Sequence, residues 1–323
     1  MSTSFDYDTS LFLGVLPEEI RRVIAARTES LVEIIFDVGR IPKAVFFNVP
    51  IEKLSEQQVT EAQLKAILAK LGQFNDDNRA GIPGALHRVS CLRNRNQAIV
   101  GLTLRFGRAI EQSFMLGDLL DQGVSMLIVG PPGSGKTSIL RQIAKHLASQ
   151  ASVMIVDTSN EIAGEGDVPH HAVGEARRIQ VPQPQMQAVS MLEAVQNHTP
   201  DVVICDELGT KAQVDAAITI SQRGVTLIAT AHGYGLESIV NNPILNRLTG
   251  GSETVTLGDR EAKKRRTAKT VQEQSHSSYF DVCVELLDDG SVAVHRNVDR
   301  SVKQILAGSS PQTELRKPRV KAA

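Results

Sequence analysis

The sequence predicts an α/β protein in which a smaller α+β domain precedes a core built on a parallel sheet. Two observations predict this class. From Ser125 onward, short apolar strands alternate with helical stretches, a pattern typical of a parallel sheet covered by helices on both faces. Before that residue, strand-like segments lie among amphipathic helices instead. With 323 residues, the chain is long enough for two domains.

The first predicted domain covers residues 1–118. Apolar residues recurring every three or four positions predict helices in VLPEEIRRVIAA (15–26) and VTEAQLKAILAKL (59–71). Short strands are predicted at VEIIFDVG (32–39), AVFFNV (44–49) and AIVGLTL (98–104). A linking helix is predicted in IEQSFMLGDLLDQG (110–123).

The second predicted domain covers residues 119–307 and contains the parallel sheet. Its predicted strands are SMLIVG (125–130), SVMIVD (152–157), DVVICD (201–206) and VTLIAT (225–230), with a fifth candidate at 253–257. Helices are predicted at 136–149, 186–197 and 210–222. The turn Asp288-Asp289-Gly290 between two strand-like segments predicts a C-terminal β-hairpin, followed by a short helix at 299–307. The basic tail, 308–323, is predicted to be disordered.

Composition excludes several classes of protein. Lysine and arginine total 35 against 36 aspartates and glutamates, so a uniformly basic nucleic-acid coat is excluded although local basic patches are not. The three scattered cysteines indicate a reducing compartment rather than a disulfide framework. No apolar run approaches the length of about 18 residues that a transmembrane helix needs, and the acidic N-terminus resembles neither a secretory signal nor a transit peptide. We therefore expect a soluble, cytosolic enzyme.

The strongest motif is a phosphate-binding loop between a predicted strand and a predicted helix. It matches G-x-x-x-x-G-K-[ST] at every position, and its nucleotide-binding residues are Gly130, Pro131, Pro132, Gly133, Ser134, Gly135, Lys136, Thr137 and the adjoining Ser138. The glycines let backbone N–H groups converge on a phosphate at a helix N-terminus. Lys136 is expected to reach the β- and γ-phosphates of ATP, and the Thr137 hydroxyl is expected to hold Mg²⁺.

A second motif, DVVICDE, ends in two adjacent carboxylates and is typical of a Walker B strand. Asp206 is the expected Mg²⁺ residue, and Glu207 is the expected general base that polarises the attacking water. A base beside the metal residue suits hydrolysis better than nucleotide sensing. The alternative is a strand that merely ends in an acidic loop.

A polar tip follows the next predicted strand, VTLIAT. In P-loop ATPases with a catalytic glutamate on the Walker B strand, the following strand lies between the two Walker strands and directs a polar side chain at the γ-phosphate. Thr230 and His232 are both candidates for that sensor, and an ordinary loop histidine is the alternative for His232.

The tip of the second strand, Asp157-Thr158-Ser159-Asn160-Glu161, contributes two more carboxylates. Asp157 and Glu161 are candidates for the outer coordination sphere of the metal or for a contact with a neighbouring subunit; a turn-capping sequence is the alternative. The long irregular segment 162–186 that follows is expected to be functional or disordered.

Several arginines are candidates for stabilising transition-state charge from a neighbouring subunit. They are Arg177, Arg178, Arg105 and Arg108, with solvated surface arginines as the alternative. The stretch Arg79–Arg108 holds six arginines and no acid, and Arg260–Lys269 holds six basic residues and one acid. Either could track nucleic-acid phosphates, or the first could form salt bridges and the second a solvated loop. His170 and His171 lack partners at zinc-ligand spacing.

Long phrases of the chain resemble one ATPase family. They are DNRAGIPGALHRVSCLRNRNQAIVGLTLRFGRAI, VDTSNEIAGEGDVPHHAVGEARRIQV, EAVQNHTPDVVICDELGT, GVTLIATAHGYGLESIVNNP and VTLGD. The sequence resembles the hypothetical chloroplast reading frame 45 family of cyanobacteria and plastids, which is similar to stage III sporulation protein AA and, more distantly, to the secretion and pilus ATPases. The resemblance covers roughly residues 10 to 307.

The resemblance implies a RecA-like P-loop NTPase core of the Walker B glutamate type, an N-terminal domain over the nucleotide, and a hexameric ring. It also implies an acidic box at Asp157–Glu161, a histidine box at His232, and N-terminal arginines that reach the nucleotide, which fits Arg105 and Arg108. Many relatives carry a C-terminal nucleic-acid module with an R-x-x-x-H motif. No such motif follows residue 300 here, which weakens that borrowed role.

Two functions follow from these observations. The first is Mg²⁺-dependent ATP hydrolysis by a homo-oligomeric, hexameric ring that remodels or assembles a protein or membrane-associated partner. The alternative is a nucleic-acid-dependent ATPase that uses the two basic stretches. A nucleotide-gated scaffold with little turnover is disfavoured by Glu207. The expected location is a bacterial cytosol, or the plastid stroma for a plastid-encoded protein.

Overall fold

The computed structural model describes residues 4–108, 115–265 and 268–317. The chain divides into two compact units. The N-terminal unit comprises residues 1–110 and 159–174, and the core unit comprises residues 111–158 and 175–323.

The N-terminal unit combines three helices with an antiparallel sheet. Its elements are α1 (Ser4–Val15), α2 (Glu18–Ile24), β1 (Leu31–Asp37), β2 (Lys43–Phe46), β3 (Val49–Lys53), α3 (Glu61–Leu68), β4 (Arg79–Gly81), β5 (Arg88–Arg93) and β6 (Ile99–Arg105). The strands are ordered β3-β2-β1-β6-β5-β4, and every neighbouring pair is antiparallel.

Local sequence explains where these elements begin. Thr60 and Gln63 form a reciprocal capping box at the start of α3, which satisfies backbone donors that the first turn cannot pair internally. The helix predicted at 15–26 corresponds to α2, which begins after Pro17 because proline fits the start of a helix but not its interior. The helix α1, which ends at Val15, was not predicted. The strands predicted at 32–39, 44–49 and 98–104 correspond to β1, β2 and β6. β3, β4 and β5 were not predicted.

Residues 159–174 pack with the N-terminal unit, although in sequence they follow a strand of the core unit, Val153–Asp157. Pro83 and Glu165 form a parallel β-bridge, and the Gly84 N–H donates to the Glu165 carbonyl at 3.0 Å. Gly81 is required here because a Cβ on it would lie 2.5 Å from the Glu165 Cβ. The sequence prediction treated both domains as continuous segments and therefore could not include this insertion.

The core unit is built on an eight-stranded sheet. Its elements are α4 (Gly117–Leu120), β7 (Met126–Gly130), α5 (Lys136–Leu147), β8 (Val153–Asp157), β9 (Arg177–Gln180), α6 (Gln187–His198), β10 (Val202–Cys205), α7 (Lys211–Gln222), β11 (Thr226–His232), α8 (Leu236–Val240), β12 (Ser252–Thr256), α9 (Asp259–Arg265), β13 (Thr270–Gln274), β14 (Val282–Leu286), β15 (Val292–His295), α10 (Val298–Leu306) and β16 (Glu314–Arg316).

The strand order is β16-β15-β14-β7-β11-β10-β8-β9. The six strands from β14 to β9 are parallel, and β15 and β16 extend the sheet antiparallel. β7, β8 and β10 are buried along their whole length, as expected of strands covered on both faces. The four predicted apolar strands, the three predicted helices and the C-terminal hairpin are all present.

Two predictions about this unit are corrected first. The fifth strand candidate, 253–257, lies in β12, which pairs only with β13 in a separate two-stranded sheet. Its polar residues are mostly exposed, which suits a ribbon and not a sheet covered on both faces. The irregular segment 162–186 contains β9, an edge strand of the main sheet.

The tail is also more ordered than predicted. Residues 314–316 form β16, which pairs with β15. Arg316 donates to both carboxylate oxygens of Asp118, at 2.6 and 2.9 Å, and this bidentate pair fixes the strand. Residues 318–323 lie outside the described residues, and so do residues 110–114 of the predicted linking helix. Within the described ranges, no helix combines the length and apolarity needed to cross a membrane.

Candidate functional site

The topology of the core sheet brings the predicted motifs together at one edge. β11 lies between β7, which leads into the phosphate-binding loop, and β10, which leads into Asp206 and Glu207. This is the strand order that the motifs predicted. Because all three strands are parallel, their carboxyl ends meet at the same edge of the sheet, where ligands of open α/β sheets bind.

The loop between β7 and α5 has the conformation that its glycines allow. Gly133 and Gly135 have φ angles of 78° and 94°, a region that side chains disfavour. A Cβ on Gly130 would lie 2.5 Å from the Ser134 hydroxyl and 3.1 Å from the Leu286 Cβ. A larger residue at any of these three positions would be strained or would clash. The glycines allow the loop to turn sharply into the first residue of α5.

Lys136 opens α5 and is 7% exposed. Its ammonium group donates to the carbonyl oxygens of Gly130 at 2.8 Å and Pro131 at 2.9 Å, which keeps the side chain folded against the loop. The buried Ser134 hydroxyl has no hydrogen-bond partner. A buried hydroxyl without a partner is costly, so a polar ligand in the loop would complete its bonding.

Thr230 on the neighbouring strand joins the Asp206 carboxylate to the backbone of Glu207. The Thr230 hydroxyl donates to Asp206 Oδ1 at 2.7 Å and accepts from the Glu207 N–H at 2.9 Å. Thr230 is fully buried. The sequence analysis made Thr230 a candidate for the sensor. In the structure its hydroxyl holds the Asp206 carboxylate and the Glu207 backbone.

Glu207 has a φ of 49°, an unusual left-handed conformation for a residue that is not glycine. Such strain is concentrated at functional sites, where the surrounding structure holds it. The Glu207 side chain remains 62% exposed. Backbone strain therefore coincides with an accessible carboxylate next to the metal candidate Asp206.

His232 connects the two Walker motifs. Its Nδ1 lies 3.2 Å from the Lys136 ammonium, and its Nε2 lies 2.8 Å from Glu207 Oε1. Since the ammonium can only donate, Nδ1 is the acceptor and Nε2 carries the proton donated to Glu207. Of the two sensor candidates, His232 is the one whose side chain contacts both motifs.

Two glutamines near this site were not identified from the sequence. Gln187, at the start of α6, donates to the Asp206 carbonyl, and Gln213 of α7 donates to Gln187 Oε1 at 2.6 Å. Gln213 also accepts from the N–H groups of Gly209 and Thr210. The capping-box pattern of Thr210 and Gln213 was visible in the sequence, but its connection to Asp206 depends on the packing of α6 against α7.

The acidic segment at the end of β8 is divided between the two units. Asp157 is 1% exposed and belongs to the core unit. Glu161 belongs to the N-terminal unit and pairs there with Arg88. The pairing gives Glu161 a structural partner within its own unit.

Arg177 and Arg178 lie on β9, opposite Met154 and Ile155 of β8. Four strand spacings separate β9 from β7, about 19 Å across the sheet. The two arginines are thus remote from the phosphate-binding loop of their own chain. Arg177 is exposed, with its guanidinium 3.5 Å from His198 Nδ1.

The arginine-rich stretch of the N-terminal unit is used partly to hold that unit together. Arg108 donates to the carbonyl oxygens of Thr28, Glu29 and Leu31, and burial lowers its pKa. Arg93 donates to Asn78 Oδ1 at 2.7 Å and to the Gln97 carbonyl at 2.8 Å. Together with Arg88, three of the six arginines therefore have structural contacts. Arg105 is exposed at the end of β6.

The second basic stretch, Arg260–Lys269, joins β12 to β13. Arg260, Lys263 and Lys264 are exposed on α9, and Lys269 pairs with Asp259 at 2.5 Å. The stretch also contains residues 266–267, which lie outside the described residues. Its described part lies at the end of the two-stranded ribbon.

The histidines of the N-terminal unit have structural contacts. His170 Nε2 lies 2.8 Å from Asp8 Oδ1, and both side chains are almost fully buried. His87 Nδ1 accepts from the Gly107 N–H, so its Nε2 donates to the Asp8 carbonyl. Burial lowers the pKa of His87 to about 4, which keeps it neutral in this role.

Comparisons with known proteins show which sequences and folds this chain resembles. The family model described as sporulation stage III, protein AA, matches residues 114–257. The chain is 46% identical over 313 residues to Protein SEEDLING PLASTID DEVELOPMENT 1 of Arabidopsis thaliana, covering 95% of this chain and 46% of that protein. It is 45% identical to the uncharacterized protein ycf45 of Porphyra purpurea, covering 96% of this chain and 55% of the relative.

The chain thus spans about half the length of these two relatives. The protein ycf45 of Cyanidium caldarium is 40% identical, with 96% of this chain and 93% of the relative covered.

Two solved structures share the fold. The pilus retraction motor PilT with bound ADP has a TM-score of 0.54 and 15% identity, covering 75% of this chain and 79% of that one. The Legionella pneumophila ATPase DotB has a TM-score of 0.53 and 13% identity, covering 90% and 83%. The core unit therefore has the predicted RecA-like P-loop fold, and a smaller α+β unit precedes it.

Proposed function

The chain belongs to the hypothetical chloroplast reading frame 45 (ycf45) family, and we propose that it is a Mg²⁺-dependent ATPase. The observation that carries the proposal is the contact series from Lys136 through His232 to Glu207, which joins the phosphate-binding loop to the Walker B acids. Fold likeness alone would not assign an activity. The proposal is supported because the residues we assign to phosphate binding, metal binding and water activation lie at one edge of the sheet.

The residues fit ATP and Mg²⁺. The unpartnered Ser134 hydroxyl and the Lys136 ammonium are donors for the phosphates, beside backbone N–H groups of a glycine loop. Thr137 and Asp206 would hold the Mg²⁺, and the metal would supply neutralisation of the phosphate charge.

Glu207 is the proposed general base. Its carboxylate accepts the proton of the attacking water, and the Thr230 hydroxyl holds its backbone N–H. The His232 Nε2–H donates to Glu207 and so restricts where that carboxylate points. His232 would exchange this contact for the γ-phosphate as a sensor, leaving Glu207 accessible to water.

A homo-oligomer, proposed to be a hexameric ring, completes the site. Arg177 and Arg178 on the edge strand β9 are too far from their own loop and would act on the nucleotide of a neighbouring subunit. Arg105 is the other candidate, because its side chain is exposed whereas Arg108 is engaged by backbone carbonyls. The ring would remodel or assemble a protein or membrane-associated partner, in a bacterial cytosol or in the plastid stroma.

A nucleic-acid-dependent ATPase is the second candidate. The exposed basic residues on α9 at the end of the β12–β13 ribbon favour it, since such an arm can reach a phosphate backbone. The structural contacts of Arg88, Arg93 and Arg108 weigh against a tracking surface in the N-terminal unit.

Steady-state ATP hydrolysis, measured with and without single-stranded and duplex DNA and RNA at low and moderate salt, tests both candidates. We expect basal turnover that is independent of nucleic acid. Glu207→Gln should bind ATP but lose turnover by about 10²–10⁴-fold, since an amide cannot accept the proton. Glu237→Gln, an exposed glutamate on α8, is the matched control and should retain turnover.

Normal hydrolysis by Glu207→Gln would refute the assigned base. Stimulation by any nucleic acid that falls steeply with salt would replace the first candidate with the second.

A further inference from the structure

The hairpin formed by β2 and β3 exposes apolar side chains at one edge of the N-terminal sheet. β3 is the outermost strand of that sheet. Phe47 in the turn is 57% exposed, Val49 is 40% exposed and Ile51 is 62% exposed, and Pro50 between them is exposed as well. Isolated apolar side chains are common on protein surfaces, whereas several at one hairpin tip mark an interaction site.

The backbone of this edge is unsuited to pairing with another strand. Pro50 has no N–H group, so it interrupts the row of donors that an added strand would use. Natural sheets use edge prolines in this way to prevent strand addition. The hairpin would therefore engage a partner through its side chains.

Two lysines lie opposite each other at the base of the same hairpin. Lys43 and Lys53 are cross-strand partners, and both are exposed. Like charges in this position destabilise a sheet unless an anion lies near them. The one carboxylate of the hairpin, Glu52, is already paired with Arg27 at 2.7 Å. The base of the hairpin is consequently positive.

The spacing of the apolar and basic groups matches a lipid interface. Along β3, Lys53 follows Ile51 by two residues and Val49 by four, which corresponds to about 7 and 14 Å. Peripheral segments bury apolar side chains about 5–10 Å into the boundary between headgroups and acyl chains. With the tip buried to that depth, the lysines would lie at the level of the lipid phosphates.

We propose that the tip of the β2–β3 hairpin docks the protein on an anionic lipid surface. Phe47, Val49 and Ile51 enter the interface, and Lys43 and Lys53 contact the lipid phosphates. The inference deepens the proposed function by naming the surface on which the ATPase works, and it rests on that function only for its biological role, because lipid binding requires no ATP hydrolysis.

Co-sedimentation of the full chain with vesicles tests the inference. Vesicles of phosphatidylcholine alone are compared with vesicles of phosphatidylcholine and phosphatidylglycerol, at low and moderate salt. We expect binding to the anionic vesicles that weakens with salt. Ile51→Ser should weaken binding by about tenfold through lost apolar burial. Lys53→Gln should weaken it by about fivefold and reduce its dependence on salt.

The matched control is Val168→Ser, since Val168 is 78% exposed in the same unit but outside the hairpin. It should bind vesicles like the unmodified chain. Equal binding to neutral and anionic vesicles, or an equal loss in Val168→Ser and Ile51→Ser, would overturn the inference.

Sedimentation velocity of Ile51→Ser tests whether the tip is instead an interface between copies of the chain. A change of oligomeric state in this variant would indicate such an interface and would overturn lipid docking. ATP hydrolysis without vesicles, measured on the same samples, separates the two proposals. Vesicle binding without hydrolysis would leave the hairpin inference intact while refuting the ATPase.

Discussion

The two sheets of the molecule present their polar side chains in different ways. In the core unit, β7 and β10 are apolar and buried along their length, and the candidate functional residues lie at or just beyond the carboxyl ends of β7, β10 and β11. In the N-terminal unit, the arginines lie along and between antiparallel strands, where Arg88 pairs with Glu161 and Arg93 with Asn78. In this protein, charged residues at the ends of parallel strands lie at the candidate functional site. Charged residues on the antiparallel strands of the N-terminal unit form structural contacts.

Removal of the Thr230 hydroxyl, which joins Asp206 to the backbone of Glu207, has the largest expected effect. Thr230→Val keeps the side-chain shape but leaves Asp206 Oδ1 and the Glu207 N–H without their shared partner. We expect turnover to fall by about 10- to 100-fold and stability to fall by about 1–3 kcal/mol. Steady-state kinetics and urea denaturation measure the two effects.

Thr230→Ser is the matched control, because it restores the hydroxyl and should recover most of the turnover. A Thr230→Val protein with unchanged turnover would show that Thr230 only fills space in the sheet.

Two arginines of the N-terminal unit test whether charges in its sheet have structural roles. Arg108→Ala removes a guanidinium that donates to three backbone carbonyls, so we expect unfolding free energy to fall by about 2–3 kcal/mol. Arg105→Ala removes an exposed side chain and should change stability by less than about 0.5 kcal/mol. Denaturation in urea measures both, and equal losses would contradict the structural role assigned to Arg108.

The smallest expected effect concerns the C-terminal strand. Hydrogen bonds from Arg316, followed by its positive charge and that of Arg296, lower the pKa of Asp118 below 3.8. A carboxylate with a lowered folded-state pKa contributes stability that is fully present above the unfolded pKa and is lost as pH falls through the folded value. Thermal unfolding between neutral pH and pH values below 3.8 should show this loss.

Arg316→Gln removes the positive charge and the guanidinium that donates to both Asp118 oxygens, so the stability of this variant should depend less on pH in the same acidic range. The contribution is small, because the Asp118 side chain is 52% exposed and solvent screens the pair. An identical pH profile for both proteins would show that the pair does not anchor β16.

Much of the core unit could be predicted because its signals are local. The glycines of the loop, the acids after DVVIC and the histidine after VTLIAT each follow a recognisable apolar strand. Short or polar strands were harder to predict. β9 lies within a segment rich in glycine and proline, and β12 has the composition of a strand but pairs only with β13.

Local sequence was sufficient to predict the parallel core and to identify the glycine loop and the candidate Walker B acids, because strand periodicity and glycine conformations are properties of neighbouring residues. The partners of those residues depend on the tertiary structure. Thr230 bonds Asp206, and His232 contacts both Lys136 and Glu207. Residues 159–174 pack with the N-terminal unit. These contacts join segments that are distant along the chain, and their geometry depends on how the sheet and helices pack rather than on any local pattern.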